Sequence, residues 1–388
     1  MRMPCPHTAA IFSAVVSAYL ATHWLRAACA SFVDQAPAIL HNLDFEDSWF
    51  CYRMPVHFTH TPGIFVAVFL ALFTKSIAHF LRAPLDDTAL EHDLPHIRFL
   101  MESIDAAPAN MRTYYTASRF CYALLECGVH SGGMHSSLYL GDNLPRRGVQ
   151  PALVLQKIVA SGAKRVLELG CGRGFCSLYL RALLPGVEFT AVDVVEEHIQ
   201  SARAKACNNQ PAFHVLDACD MTSLEQDFDL VFAVESMCHL GTHKRLHKLG
   251  VSLRKTLRRG GSFVLIDGFR AADFADASSA RQAAMQAAEH AFHIERMFSR
   301  YEWAAVLNTH GLSVRDTRML TAEVLPFWTK AWRCTRLSVH ASAALAVYAR
   351  WSDNARMHVA NILAGGVVAH ALRGGAAAEY ACVEYCVD

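Results

Sequence analysis

The chain has 388 residues, 53% hydrophobic and 18% charged, so it can bury a substantial core and is not a disordered polymer. Its 36 basic and 35 acidic side chains leave a formal charge of +1, which argues against the basic excess that broad nucleic-acid binding shows. The 13 cysteines include no CxxC pair, so they read as reduced packing thiols of a cytosolic chain, and no metal is expected.

Residues 1–100 read as an N-terminal helical extension. Stretch 9–25 carries no formal charge and follows Arg2, and a second apolar stretch, 64–81, is interrupted by Lys75. A spanning helix needs about 20 apolar residues, and both stretches are marginal. Three readings stand. The first is a membrane hairpin with both ends on the cytosolic side, since Arg2, Lys75 and Arg82 flank an acidic connection. The second is a pair of buried or membrane-surface helices. The third is a signal peptide cleaved near Ala28-Cys29-Ala30.

Residues 101–150 change character, with Tyr114-Tyr115, Tyr122 and then His130-Ser131-Gly132-Gly133-Met134-His135. Glycine beside histidine predicts a loop after a helix. From 151 onward helices and strands alternate. A helix opens at Pro151 and ends at Gly162, and a short strand spans 165–169. A helix over 175–184 is stopped by Pro185-Gly186. Strands are expected at 187–194, 213–216 and 228–234, with a helix over 196–206. The unbroken apolar run of 228–234 predicts burial on both faces. A helix over 244–258 precedes Gly260-Gly261 and a strand at 262–266. A helix over 304–312, a strand at 312–316, a mostly helical segment 322–375 and a strand at 380–387 complete the chain. This alternation predicts an α/β, doubly wound, mostly parallel sheet of seven strands.

The chemistry centres on Gly170, Gly172 and Gly174, between a strand and a helix. Glycines there let backbone approach a ligand, and the helix start turns its amides and positive dipole toward the same space. A dinucleotide fingerprint would place its third glycine at 175, where the chain has Phe175. Glu168 ahead of the loop would repel a pyrophosphate and attract an ammonium or sulfonium group. The residues therefore favour a cationic nucleoside over a nicotinamide dinucleotide, which makes an oxidoreductase the weaker reading.

The run Glu168-Leu169-Gly170-Cys171-Gly172-Arg173-Gly174 resembles the first motif of the class I, Rossmann-like, S-adenosylmethionine-dependent methyltransferases. Asp193, Asp217-Ala218, Phe228–Phe232 and Leu257–Gly261 match further motifs of that family in order. The resemblance implies an antiparallel last strand, a helical cap over about 322–375 and a methyltransferase domain over 151–388. It implies that Glu168, Gly170, Cys171, Gly172 and Gly174 hold the methionine portion of S-adenosylmethionine, Asp193 the ribose, and Asp217 and Ala218 the adenine. It places Glu235 and His239 beside the transferred methyl, as in the sterol, lipid and small-molecule methyltransferases. There the carboxylate can stabilise a developing cation, and the histidine can take a proton. Tyr114, Tyr115, Tyr122, His130 and His135 are expected to line the substrate pocket within a covering segment, 101–150. Phe175-Cys176 departs from the sterol enzymes, which have Gly-Pro there. The implied activity is methyl transfer to a small, largely apolar acceptor (lipid, isoprenoid, sterol-like or quinone-like). Cyclopropane-type methylene transfer and a membrane-tethered, cofactor-binding protein without turnover are the alternatives. No nucleic-acid partner is expected; a cytoplasmic chain, with membrane association through 9–25 and 64–81, is.

Overall fold

The computed structural model describes residues 84–104, 114–115, 118, 133–140, 145–146 and 148–388. The apolar stretches 9–25 and 64–81, together with Tyr122 and His130, lie outside the described residues. No helix among the described residues is long and apolar enough to cross a membrane.

The centre is a seven-stranded sheet. Its strands are β1 (Arg165–Leu169), β2 (Glu188–Asp193), β3 (Ala212–Val215), β4 (Phe228–Val234), β5 (Leu257–Arg270), β6 (Leu312–Met319) and β7 (Ala378–Val387). Their order across the sheet is β3-β2-β1-β4-β5-β7-β6. Strands β1 to β5 run parallel, and β7 enters antiparallel between β5 and β6. Chain direction across the sheet reverses between β1 and β4, which opens a crevice beyond their carboxyl ends. The glycine loop leaves β1 there and Glu235 leaves β4 there.

The order matches the expected α/β class, with two extensions. Strand β5 runs from Leu257 to Arg270, well past the apolar run at 262–266, because β7 pairs with it from Ser262 to Arg270. Strand β6 continues through Arg315, Asp316, Thr317 and Arg318 to Met319. It is an edge strand bonded only to β7, so its polar residues face water.

Helices cover both faces. On one side α2 (Val149–Ser161) and α3 (Phe175–Leu183) pack with β1, β4 and β5 around Val166, Leu180, Phe189 and Phe232. Helix α4 (Glu196–Arg203) follows β2. The other face buries Leu246, Leu249 and Leu253 of α5 (His243–Thr256) and Trp303, Val306 and Leu307 of α7 (Arg300–Asn308). The segment between β6 and β7 forms α8 (Thr321–His340), α9 (Ser342–Ala349) and α10 (Asp353–Leu372). Helices α8 and α10 approach closely because Gly365 and Gly366 face Thr335 and Val339, where added Cβ atoms would sit 2.8 Å from the nearest side-chain carbon.

Two more helices complete this cap. Helix α6 (Ser279–Ala291), alanine-rich and capped by Ser278, lies in a stretch where the sequence reading placed no element. Helix α1 (Asp87–Ser103) buries Leu90, Ile97 and Leu100 in one cluster with Ala284 and Ala288 of α6 and Leu363 and Val367 of α10. A division at residue 100 would cut α1, which belongs to the cap through its packing.

Candidate active site

The glycine loop is built by three positive φ angles, +66° at Gly170, +52° at Gly172 and +82° at Gly174. Their surroundings differ. A Cβ on Gly170 would lie 2.4 Å from the Ser236 Cβ, and one on Gly174 would lie 2.8 Å from the Phe213 ring. These two glycines let the crevice wall and the sheet close up. A Cβ on Gly172 would meet only the Met134 sulfur, at 3.2 Å, under the covering segment 133–140. Cys171 is buried, its thiol 3.6 Å from the Gly172 carbonyl oxygen.

Asp193 ends β2 and faces this loop. Its Oδ2 accepts from the Gly172 amide at 2.8 Å, and its Oδ1 accepts from the Val195 amide at 2.8 Å. A carboxylate offers about four lone-pair directions, so further acceptor capacity is left. The His198 Nδ1 lies 3.7 Å from Asp193 Oδ1 and is buried without a hydrogen-bond partner.

Glu168 is buried in β1 just ahead of the loop. Its Oε2 accepts from the Ser177 amide at 3.0 Å and from the Ser177 hydroxyl, inside the seam between β1 and α3. Burial pushes its pKa up to about 8, so the carboxyl is largely protonated at neutral pH. It anchors the start of α3. Asp217 accepts from Arg245 Nη2 at 3.1 Å on both oxygens and from the Cys219 amide at 2.9 Å, while Ala218 packs into the core.

Glu235, the first residue after β4, has φ +45°, a conformation that a side-chain-bearing residue holds only when its surroundings enforce it. The enforcement is visible. Its amide donates to the Ile266 carbonyl at 2.8 Å. Its carboxylate accepts from the Ser136 amide at 2.9 and 3.0 Å, from the Ser136 hydroxyl at 3.1 Å and from the Tyr380 hydroxyl at 2.6 Å. Gln150 Nε2 donates to the Ser136 carbonyl at 2.7 Å. His135 lies in the same segment, with its Nδ1 3.1 Å from the Ser136 carbonyl and its ring 5.4 Å from that of Phe175. Glu235 therefore fastens 133–140 over the crevice.

His239 sits on the 3-10 turn Met237–Leu240. Asp267, at the same level of β5, holds that turn by accepting from the Met237 amide at 2.9 Å and the Cys238 amide at 3.1 Å. Burial, and then the nearby Glu235 charge, raise the Asp267 pKa to about 7. The His239 Nε2 lies 3.2 Å from the Tyr115 hydroxyl, and its buried Nδ1 has no hydrogen-bond partner. Burial, with a smaller push from His293, lowers the His239 pKa to about 4.

Tyr114 packs edge-on against Tyr115 at 4.9 Å and against His293 at 5.4 Å. His293 has φ +53°, and its buried Nε2 is also without a partner. Tyr115 in turn packs 5.2 Å from the His198 ring, so one tyrosine touches both the Asp193 side and the His239 side of the crevice.

Of the residues picked from the sequence, Gly172, Asp193, Tyr115 and His239 converge on the crevice, with Tyr114 packed behind Tyr115. Sequence reasoning missed Asp267, His198 and His293. Asp267 had a usable signal, an acid closing the apolar run Phe263–Ile266, as Asp193 closes β2. His198 and His293 had none.

The family profile described as "Methyltransferase domain" matches residues 166–261. The chain is 28% identical over 178 residues to an S-adenosyl-L-methionine-dependent Diels-Alderase of Talaromyces variabilis, covering 42% of this chain and 58% of that protein. It is 27% identical over 175 residues to 27-O-demethylrifamycin SV methyltransferase of Amycolatopsis mediterranei, covering 43% of this chain and 60% of that protein. The matches thus span less than two thirds of these relatives' lengths. A solved cyclopropane synthase of Mycobacterium tuberculosis superposes with a TM-score of 0.52 at 12% identity, over 75% of this chain and 98% of that one, a likeness of fold.

Proposed function

The chain belongs to the class I, Rossmann-like, S-adenosylmethionine-dependent methyltransferases, and on that premise we propose that it methylates a small, largely apolar acceptor of lipid, isoprenoid, sterol-like or quinone-like character. The observation that carries this reading is the unpartnered, buried Nδ1 of His239, held across Tyr115 from the Asp193 side of the crevice.

The residues fit the cofactor. Asp193 keeps acceptor capacity for ribose hydroxyls, and the orphaned His198 Nδ1 beside it offers a second polar contact. Gly172 brings bare backbone against Met134, where an added Cβ would lie 3.2 Å from the sulfur. Bound S-adenosylmethionine supplies an electrophilic methyl group on a sulfonium centre.

On the acceptor side, His239 is neutral at physiological pH because its pKa is depressed. With its Nε2–H donated to the Tyr115 oxygen, Nδ1 carries the lone pair and takes the proton from an acceptor hydroxyl or amine. Asp267 positions His239 through the turn amides. Glu235 is a positioning residue in this reading, holding 133–140 closed to exclude water. Tyr115, backed by the buried Tyr114, gives the crevice an aromatic wall.

The test is turnover of labelled S-adenosylmethionine with lipid extract and with defined apolar alcohols, phenols and amines, products being identified by mass spectrometry. His239→Ala should reduce the rate by about 10²–10⁴-fold with cofactor affinity unchanged. Full activity in that variant would sink the assignment of His239.

The Diels-Alderase relative favours one second reading, a cofactor held without methyl transfer. Tight cofactor binding by calorimetry, with no methylated product from any acceptor, would select it.

A further inference from the structure

The cap carries a second cluster of titratable side chains, away from the crevice. Helix α1 contributes His92, Asp93 and His96, and the last residue of α8 is His340. Asp93 is 1% exposed. It accepts from Arg336 Nε at 3.0 Å and Nη2 at 3.2 Å, and its Oδ1 lies 2.7 Å from His340 Nε2 and 3.4 Å from His92 Nδ1. One ligand atom each from His92, Asp93 and His340 falls within 4.8 Å of the others. The His340 ring centre lies 5.1 Å from that of His92 and 4.4 Å from that of His96.

We propose that His92, Asp93 and His340 form a site for a divalent transition cation of the Zn2+ class, with His96 as a flanking imidazole. Three observations carry this. Two imidazoles and one carboxylate, with positions left to water, are a donor set that such cations accept. The ring spacing is right: a metal–nitrogen bond of about 2.0–2.1 Å puts each ring centre roughly 3.2 Å from the ion, so two ligating rings stand about 4.5–5.2 Å apart. Finally, charge balance does not require the imidazoles, because Arg336 already neutralises Asp93.

The cation would replace the protons between Asp93 Oδ1 and the two imidazoles, on an oxygen that also accepts from Arg336 Nε and Nη2 at 3.2 Å, while Oδ2 keeps its 3.0 Å bond from Arg336 Nε. That neighbouring guanidinium weakens the site below a four-ligand structural zinc site. Its consequence is mechanical. His92 and His340 lie far apart in the chain, so the ion would staple α1 onto the cap that roofs the crevice. The same separation hides the site from a search for ligands at short spacing.

The test uses the full chain after chelator treatment. Calorimetric titration with Zn2+ should show one equivalent bound, and thermal unfolding should move up by a few degrees at saturation. Co2+ should give visible bands of a low-coordinate, nitrogen-ligated ion. His92 is 65% exposed at its side chain, so His92→Ala should fold normally and bind Zn2+ at least about 10-fold more weakly. His340→Ala should lose the site, and His247→Ala should keep it. The last variant matters because His247 and His310 form an exposed imidazole pair 3.1 Å apart. Absence of stoichiometric binding, unchanged affinity in His92→Ala, or loss in His247→Ala would overturn the proposal.

Discussion

The Tyr380 hydroxyl donates to Glu235 Oε1 at 2.6 Å, tying the start of β7 to the turn after β4 across the intervening strand β5. The same carboxylate holds Ser136 by its amide and hydroxyl, so three distant pieces of chain meet on one anion. Tyr380→Phe removes a donor to a charged acceptor at a buried position. It should cost about 1.5–3 kcal/mol of stability by urea unfolding and speed proteolysis within 133–140. Ser136→Ala should cost less, because its backbone donor remains. An undiminished unfolding midpoint in Tyr380→Phe would show that this bond does not stabilise the covering segment.

Asp193 binds loop and ligand with the same carboxylate in the proposed reading. Asp193→Ala removes the acceptors of the Gly172 and Val195 amides, so the loop loses its shape as well as its ribose contact. Affinity for S-adenosylmethionine should fall by about 100-fold or more, the equivalent of roughly two charged hydrogen bonds. Calorimetry showing wild-type affinity would remove Asp193 from the site.

Burial sets an unusual pH profile. Glu168 is raised to about 8 and Asp267 to about 7, while His239 and His293 are lowered to about 4, in each case chiefly by desolvation. An unfolded carboxyl releases its proton near pH 4, so above that the native state holds more protons, and the carboxyl contribution declines up to the folded pKa. The unfolded histidines bind protons below about 6.5, so their contribution grows as pH rises from about 4 to 6.5. The two trends oppose each other in that window. Above about 6.5 only the carboxyl trend remains, and stability should fall toward pH 8. Glu168→Gln should flatten this decline in urea midpoints measured across that range. An equally steep decline in the variant would assign it to other groups.

Gly170 and Ser236 test the crevice wall. Gly170→Ala combines an unfavourable left-handed φ, worth about 1–2 kcal/mol, with a Cβ clash at 2.4 Å. The clash is removed by Ser236→Gly. The double variant should therefore be more stable than Gly170→Ala alone, and calorimetric unfolding can measure the difference. A double variant no better than the single one would mean that the φ term, not the close approach, requires glycine here.

Much of the sheet was legible because its signals are local. β1 and β4 were bounded to the residue, and the left-handed cap at Gly162 falls where the pattern stops. Polar β6 was read short because edge strands need no apolar run. Alanine-rich α6 passed unseen because it lacks the contrast between faces that a sequence pattern relies on.

Local spacing alone determined the class of fold, the place of the glycine loop and the acid at the end of β2, because helix and strand periods and glycine turns depend on near neighbours. Only the tertiary structure decided what each acid faces. Glu168 turned to Ser177 and became a buried anchor, Glu235 was saturated by Ser136 and Tyr380, and His239 and His198 each kept a nitrogen open beside Tyr115. Those outcomes depend on burial and on partners such as Tyr115, 124 residues from His239 in the chain, which no periodicity brings together.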